Sequence, residues 1–211
     1  MLRRRATPLD PAARKPRTTA LPMLVAALAG FSTLFSFQPF AWWPIQVVAL
    51  AWLFYQVGMN TSVKRSTLVG WGFGFGWSVA GMHWLYVAIT VYGGMPAPVA
   101  AIAIALLAVY MGVFSAFATG AATWLRRRWS LPVPAFLLLV LPVAWGLSEW
   151  MRGWLFTGFP WASSGYAHNI SPLAGYAPVV GVFGIGVLVA LCASCIVMLT
   201  QRARMQALGL L

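Results

Sequence analysis

An all-α fold, a polytopic integral membrane protein with about six transmembrane helices, is predicted by three observations. The 211 residues are 61% hydrophobic and 8% charged, with mean hydropathy +0.82, so polar side chains are too few to cover a soluble globule of this size. The apolar residues gather into six long runs. The 14 Lys+Arg fall in short clusters between those runs, the distribution that orients membrane helices, so the net charge of +12 does not point to nucleic acid.

Residues 1–20 form a basic leader, interrupted by Pro8, Pro11 and Pro16, that is expected to lie disordered on the cytoplasmic face. Arg3 to Arg5 before an apolar run imitate a secretory signal, but leader and run are both long and Gln38-Pro39-Phe40 offers no small-residue cleavage site. The first run therefore reads as an uncleaved helix. Residues 21–200 form the transmembrane domain, with spans expected at Leu21 to Phe37, Phe40 to Val57, Leu68 to Tyr92, Pro98 to Leu125, Leu131 to Trp150 and Tyr176 to Thr200. Each is near the ~20 residues a spanning helix needs, and barrel strands are far shorter. Within the third run, Gly70 with Gly74 and Gly72 with Gly76 make small-xxx-small pairs that let another helix approach closely. Residues 201–211 are expected as a cytoplasmic segment in which Ala207-Leu208-Gly209-Leu210-Leu211 begins a further, cut-off apolar span.

The basic clusters precede the first span and follow the second (Lys64-Arg65), the fourth (Arg126-Arg127-Arg128) and the sixth (Arg202, Arg204), so all fall on one side, the cytoplasm by the positive-inside rule. Gln38-Pro39, the Tyr92-Gly93-Gly94-Met95-Pro96 turn and the 151–175 connection are then external. Arg152 alone breaks the pattern. It lies three residues after Glu149, one of two acidic residues in the chain and the only one near an apolar run. A carboxylate in hydrocarbon costs about 2.5–3.5 kcal/mol on insertion scales, and i,i+3 spacing brings both heads to one helix face. The pair sits among Trp150, Trp154 and Trp161, which read as interfacial anchors. Together with Thr157, Gly158, Phe159 and Pro160 these residues suggest a working surface, although an anchored helix end with a neutralised charge would show the same pattern. The aromatic external connection is too apolar for a solvated loop and is expected to lie on or dip into the outer leaflet.

His83, beside Tyr86 in the third run, is a functional candidate by its depth; the plainer reading is a neutral histidine bonded to a neighbouring helix. His168 in the external loop reads as solvated. Cys192 and Cys195 lie inside an apolar run, which suggests packing rather than a disulfide or a metal site, and two separated histidines with one nearby acid cannot supply a metal's three or four ligands. No metal or cofactor is expected. Nor is covalent catalysis, because Glu149, Lys15, Lys64 and Cys192 fall at different depths and a nucleophile must come within about 3 Å of its base.

These residues resemble the membrane-embedded first part of bacterial apolipoprotein N-acyltransferases. The likeness rests on Gly72-Phe73-Gly74-Phe75-Gly76, Trp84-Leu85-Tyr86-Val87, Tyr92-Gly93-Gly94-Met95-Pro96 and above all Glu149-Trp150-Met151-Arg152-Gly153-Trp154 with Thr157-Gly158-Phe159-Pro160-Trp161. Gly165-Tyr166, Pro172-Leu173 and Ala177-Pro178-Val179 continue it, so that it runs from Leu21 to Thr200. The resemblance implies transfer of an acyl chain from a phospholipid donor to the diacylglyceryl-cysteine of an apolipoprotein, in the bacterial inner membrane with the N-terminus cytoplasmic. It also implies that the chemistry, through a cysteine thioester with a glutamate and a lysine, belongs to a nitrilase-like domain beyond a seventh helix. That domain is not in these residues, so the chain is expected to be a fragment, inactive alone, with neither Cys192 nor Cys195 as nucleophile. The external connection and the Tyr92 to Pro96 turn would form the substrate mouth. The alternative from the residues themselves is a small non-enzymatic transporter or scaffold with Glu149 and His83 on a pathway.

Overall fold

A computed structural model describes residues 19–207, the side chains through Arg202. The leader up to residue 18 and the apolar stretch at 208–211 lie outside the described residues, and with them the expectations placed there.

The described residues are helical with no strand. Six main helices are α1 (Ala20–Ser32), α2 (Pro44–Gly58), α3 (Val63–Met82), α4 (Ala97–Arg128), α5 (Leu141–Arg152) and α6 (Ala177–Ala207). Three stretches are long and apolar enough to cross a membrane: α4, the Val133–Arg152 stretch that ends in α5, and the Pro172–Arg202 stretch that contains most of α6. The first helix with its 3-10 extension, Ala20–Ser36, and α2 are shorter apolar helices.

Local chemistry sets the boundaries. α1 tightens into a 3-10 turn at Thr33–Ser36 where Ser32 and Thr33 hydroxyls donate back to the Ala29 and Gly30 carbonyls. Pro44 opens α2 at a position whose N–H has no helical partner. Ser62 caps α3 by accepting from the Arg65 N–H at 3.4 Å, so this helix begins five residues before the expected Leu68. It also ends earlier. The expected third span breaks at His83 into a short helix, Trp84–Val87, and a π turn, Ala88–Tyr92. The stretch leading into α5 likewise passes through a π turn at Phe136–Val140, just before Pro142, whose missing N–H cannot close the regular ladder.

Between membrane helices the hydrophobic effect contributes little, and close van der Waals packing decides which faces meet. The α3 glycines supply two such faces. On one, a methyl at Gly70 would overlap the Thr119 hydroxyl, and one at Gly74 would lie 2.6 Å from the Ser115 hydroxyl, so this face receives α4. On the other, methyls at Gly72 and Gly76 would run into the Met23 and Ala27 carbonyls of α1. α3 is thus sandwiched between α1 and α4, while α5 lies against α4 and α6, and α6 packs back on α2. Phe54, Phe73 and Trp77 surround Trp145 of α5 with ring centroids 5.8–6.2 Å away, edge-to-face or tilted, and Leu50, Leu141 and Val189 complete this core. At one end of the bundle Arg126 donates to the Gly58 carbonyl at 2.7 Å and lies 4.9 Å over the Phe136 ring, joining the ends of α2 and α4. The last turn of α5 stands at the other end.

Candidate functional site

The last turn of α5 carries Glu149 and Arg152, 4% and 8% exposed, with the nearest nitrogen and oxygen 3.7 Å apart. The expected i,i+3 pair forms, but that separation exceeds hydrogen-bond range. The hydrogen bonds go to two serines instead. Ser164 donates to Glu149 Oε1 through its backbone N–H at 2.8 Å and its hydroxyl at 2.9 Å, and Arg152 donates to the Ser163 hydroxyl at 3.1 Å. The two charges therefore clamp a segment that leaves α5 after Arg152 and returns at Ser163.

Three more bonds close this loop. The Phe159 N–H donates to the Arg152 carbonyl at 2.8 Å, Trp77 donates from its indole to the Ala162 carbonyl at 2.9 Å, and Trp145 donates to the Ser164 hydroxyl at 3.2 Å. Inside the loop Phe156, Thr157 and Gly158 all have positive φ, at 50°, 73° and 79°. Glycine takes that backbone without penalty, whereas a β-branched threonine does not, so the fastenings at either side sustain a strained turn. A methyl at Gly158 would also overlap the Gly153 carbonyl. The turn thrusts Phe156 outward, 78% exposed.

Around it stand the other aromatic residues. Trp150 and Trp154 are half-exposed and meet edge to face at 5.3 Å; Phe159 and Trp161 meet at 5.1 Å. Phe159 and Leu155 pack inward on Met82, Met111 and Phe114, which ties the loop to α3 and α4. Trp161 and Pro160 wall a cavity of about 500 Å³ with Phe37, Ala162 and Tyr166, within the ~300–1,000 Å³ range of small-molecule sites. Beneath the loop a second space of about 20 Å³, room for about one water, is lined by Ser78, Ser115, Ser148, Glu149 and Arg152. Glu149 Oε2 accepts no hydrogen bond from the described residues and faces Gly186, where a methyl would overlap it.

Other sequence candidates take different positions. Tyr92, 86% exposed, Gly93 and Gly94 form the turn between the π segment and α4, where the Gly93 and Met95 N–H groups donate to the Ala88 and Ile89 carbonyls; Gly94 takes φ 66°. No described hydrogen bond joins this turn to the clamped loop. His83 is not buried in a span: it is exposed at the end of α3, its Nδ1 2.7 Å from the Ala80 carbonyl of its own helix, beside an exposed Tyr86. His168 reverses the expectation of a solvated side chain. It is 1% exposed, against the Trp43 ring at 5.8 Å and with Nδ1 3.0 Å from the Ser171 hydroxyl, and burial pushes its pKa down to about 4. Cys192 and Cys195 do not pack in the core but are exposed on α6. Among the described residues no three His, Cys, Asp or Glu side chains gather at one place.

Sequence reasoning missed Ser163, Ser164, Trp145 and Gly186. Their contacts depend on a chain reversal with no periodicity, and only the adjacency of two serines to the Thr157 to Trp161 turn could have signalled them.

This stretch lies within the part of the chain that matches known proteins. Residues 29–195 match the family described as apolipoprotein N-acyltransferase N-terminal domain. An apolipoprotein N-acyltransferase of Ralstonia nicotianae is 40% identical over 178 residues, covering 84% of this chain and 34% of the relative. That of Chromobacterium violaceum is 37% identical over 208 residues, 97% of this chain and 39% of the relative, and that of Nitrosomonas europaea is 40% identical over 176 residues, 81% and 34%. The chain thus spans between a third and two-fifths of the length of these relatives. A helical bundle whose glycine-faced α3 and clamped aromatic loop both fall inside the matched residues does not suit an unrelated transporter or scaffold, and the chain belongs to the apolipoprotein N-acyltransferase family, of which it represents the N-terminal membrane part.

Proposed function

We propose that this chain is the lipid-handling part of an enzyme that moves an acyl chain from a phospholipid to the N-terminal diacylglyceryl-cysteine of an apolipoprotein, in the bacterial inner membrane with the chain's N-terminus cytoplasmic. The observation that carries this reading is the loop from Gly153 to Ser163, pinned at its base by Glu149 and Arg152 and crowned by exposed aromatic side chains. Trp150, Trp154 and Trp161 suit the level of lipid headgroups. The cavity beside Trp161 suits an acylated substrate, and the Tyr92-Gly93-Gly94 turn with Tyr86 and His83 supplies the other lip of the mouth. In this reading the chain admits and positions substrates, and the thioester chemistry belongs to a nitrilase-like domain seated above it.

A chimera tests the reading. With this chain in place of the matching part of the Ralstonia nicotianae relative, purified protein given phospholipid and a diacylated lipopeptide should yield the triacylated product. Trp161→Ala in that chimera should raise KM about tenfold, as the loss of ~1.4 kcal/mol of binding would. A folded, membrane-inserted chimera with no turnover would overturn the assignment. The unfused chain should form neither thioester nor product, and turnover above a blank membrane preparation would reveal a catalytic centre within it.

A further inference from the structure

A further groove runs along the outside of α3 and α4. It has a volume of about 670 Å³ and is walled by Val63, Thr67, Val113, Phe117, Ala121 and Trp124. Its floor exists because Gly120 lets the two helices touch: a methyl there would overlap the Thr67 hydroxyl. From Val113 to Leu125 the groove follows about 18 Å of helix at ~1.5 Å per residue, slightly more than the ~15 Å depth of one leaflet's hydrocarbon. An extended acyl chain fits that length and its almost wholly apolar lining.

One end of the groove is cationic. Lys64 lies one helical turn before Thr67, and Arg128 one turn after Trp124, so both stand at the same mouth, and both are exposed. Arg126 is turned away, held by the Gly58 carbonyl and the Phe136 ring. Among the described residues the only carboxylate, Glu149, lies at the opposite end of the bundle beside Arg152, so no described acid offsets the charge at this mouth. Trp124, 55% exposed, marks the level where chain gives way to headgroup.

We infer that this groove is a specific site for an anionic phospholipid of the leaflet facing the basic clusters, with one acyl chain between α3 and α4 and its phosphate between Lys64 and Arg128. The site is separate from the substrate mouth, on the other side of the membrane, and does not depend on the acyl-transfer reading. Its occupant would cement the α3–α4 contact from outside.

Purified chain, delipidated in neutral detergent, should be offered equal amounts of phosphatidylglycerol and phosphatidylcholine with identical acyl chains, and the adducts counted by native mass spectrometry. Each basic residue near the headgroup should favour the anionic lipid about fivefold, and raised ammonium acetate should weaken the preference. Lys64→Gln with Arg128→Gln, both on exposed side chains, should bring the two lipids close to parity. Ala121→Phe, which fills the groove, should remove the phosphatidylglycerol adduct. Equal retention of both lipids by the unaltered chain would show ordinary surrounding lipid and overturn the inference. So would an undiminished preference in the Lys64→Gln, Arg128→Gln protein, or an intact adduct in Ala121→Phe.

Discussion

Glu149 and Arg152 show why a charge placed in an apolar helix must be judged by everything around it. Their spacing alone would allow a screened surface pair worth ~0–1 kcal/mol. Burial of both, with serine donors and acceptors closing around them, moves the pair to the regime where stranding one member costs about 3–5 kcal/mol. Glu149→Gln and Arg152→Gln should each lower the melting temperature of the detergent-solubilised protein sharply, with the double variant less damaged than the sum; strict additivity in that cycle would mean the charges do not couple. His168 makes a pH prediction of definite sign. Its pKa in the folded protein, about 4, lies below the ordinary 6.5, so the unfolded chain binds the extra proton between those values and stability falls as pH drops through that window. After allowance for solvent screening the loss should be on the order of 1 kcal/mol. A melting series from pH 7 to pH 4 should slope downward, and His168→Gln should flatten it; an unchanged slope in that variant would assign the effect elsewhere.

At the scale of elements, the glycine spacing of α3 was legible because small-xxx-small repeats have one physical use on a membrane helix. What the spacing could not tell was that the two pairs serve different partners, since that follows from where α1 and α4 arrive. Gly70→Leu should force α4 off the Thr119 and Ser115 face, and Gly76→Leu should force α1 off the Ala27 carbonyl. Each overpacks a tight contact and should cost about 1–3 kcal/mol or more. Gly175→Ala is the control: nothing lies within 4 Å of the added methyl, and the change should stay within about 0.5 kcal/mol. Equal melting temperatures for the three variants would mean that the glycines do not set the helix approach. The boundaries of α3 were the least legible feature. The apolar run from Leu68 to Tyr92 is continuous in the sequence, and hydropathy does not register a break at His83 or the start fixed by the Ser62 cap.

For the whole molecule, composition together with the length of the apolar runs was enough for an all-helical membrane bundle, because in hydrocarbon only helices and closed barrels satisfy their own polar groups and these runs are far longer than barrel strands. The candidate site was legible in part: the acid, the base and the aromatic residues could be named, but not the return of the chain that lets two serines close the clamp. The orientation of the bundle remains a matter of charge. Arg126 bonded to the end of α2 brings two of the basic clusters to one end, and the positive-inside rule predicts that this end faces the cytoplasm. Labelling sites for a test must be exposed, which favours Thr61 and Asn169. Cys192 and Cys195, both free thiols, must first be replaced by serine so that the introduced cysteine is the one read. In spheroplasts of cells making such a protein, Asn169→Cys should be modified by a membrane-impermeant maleimide and Thr61→Cys only after the membrane is opened. Because the Trp154 to Trp161 loop and Asn169 share the end opposite Arg126, this one comparison also decides which face of the membrane the proposed substrate mouth addresses. Labelling of Thr61→Cys in sealed spheroplasts, with protection of Asn169→Cys, would invert the bundle and with it the proposed mouth and the lipid site.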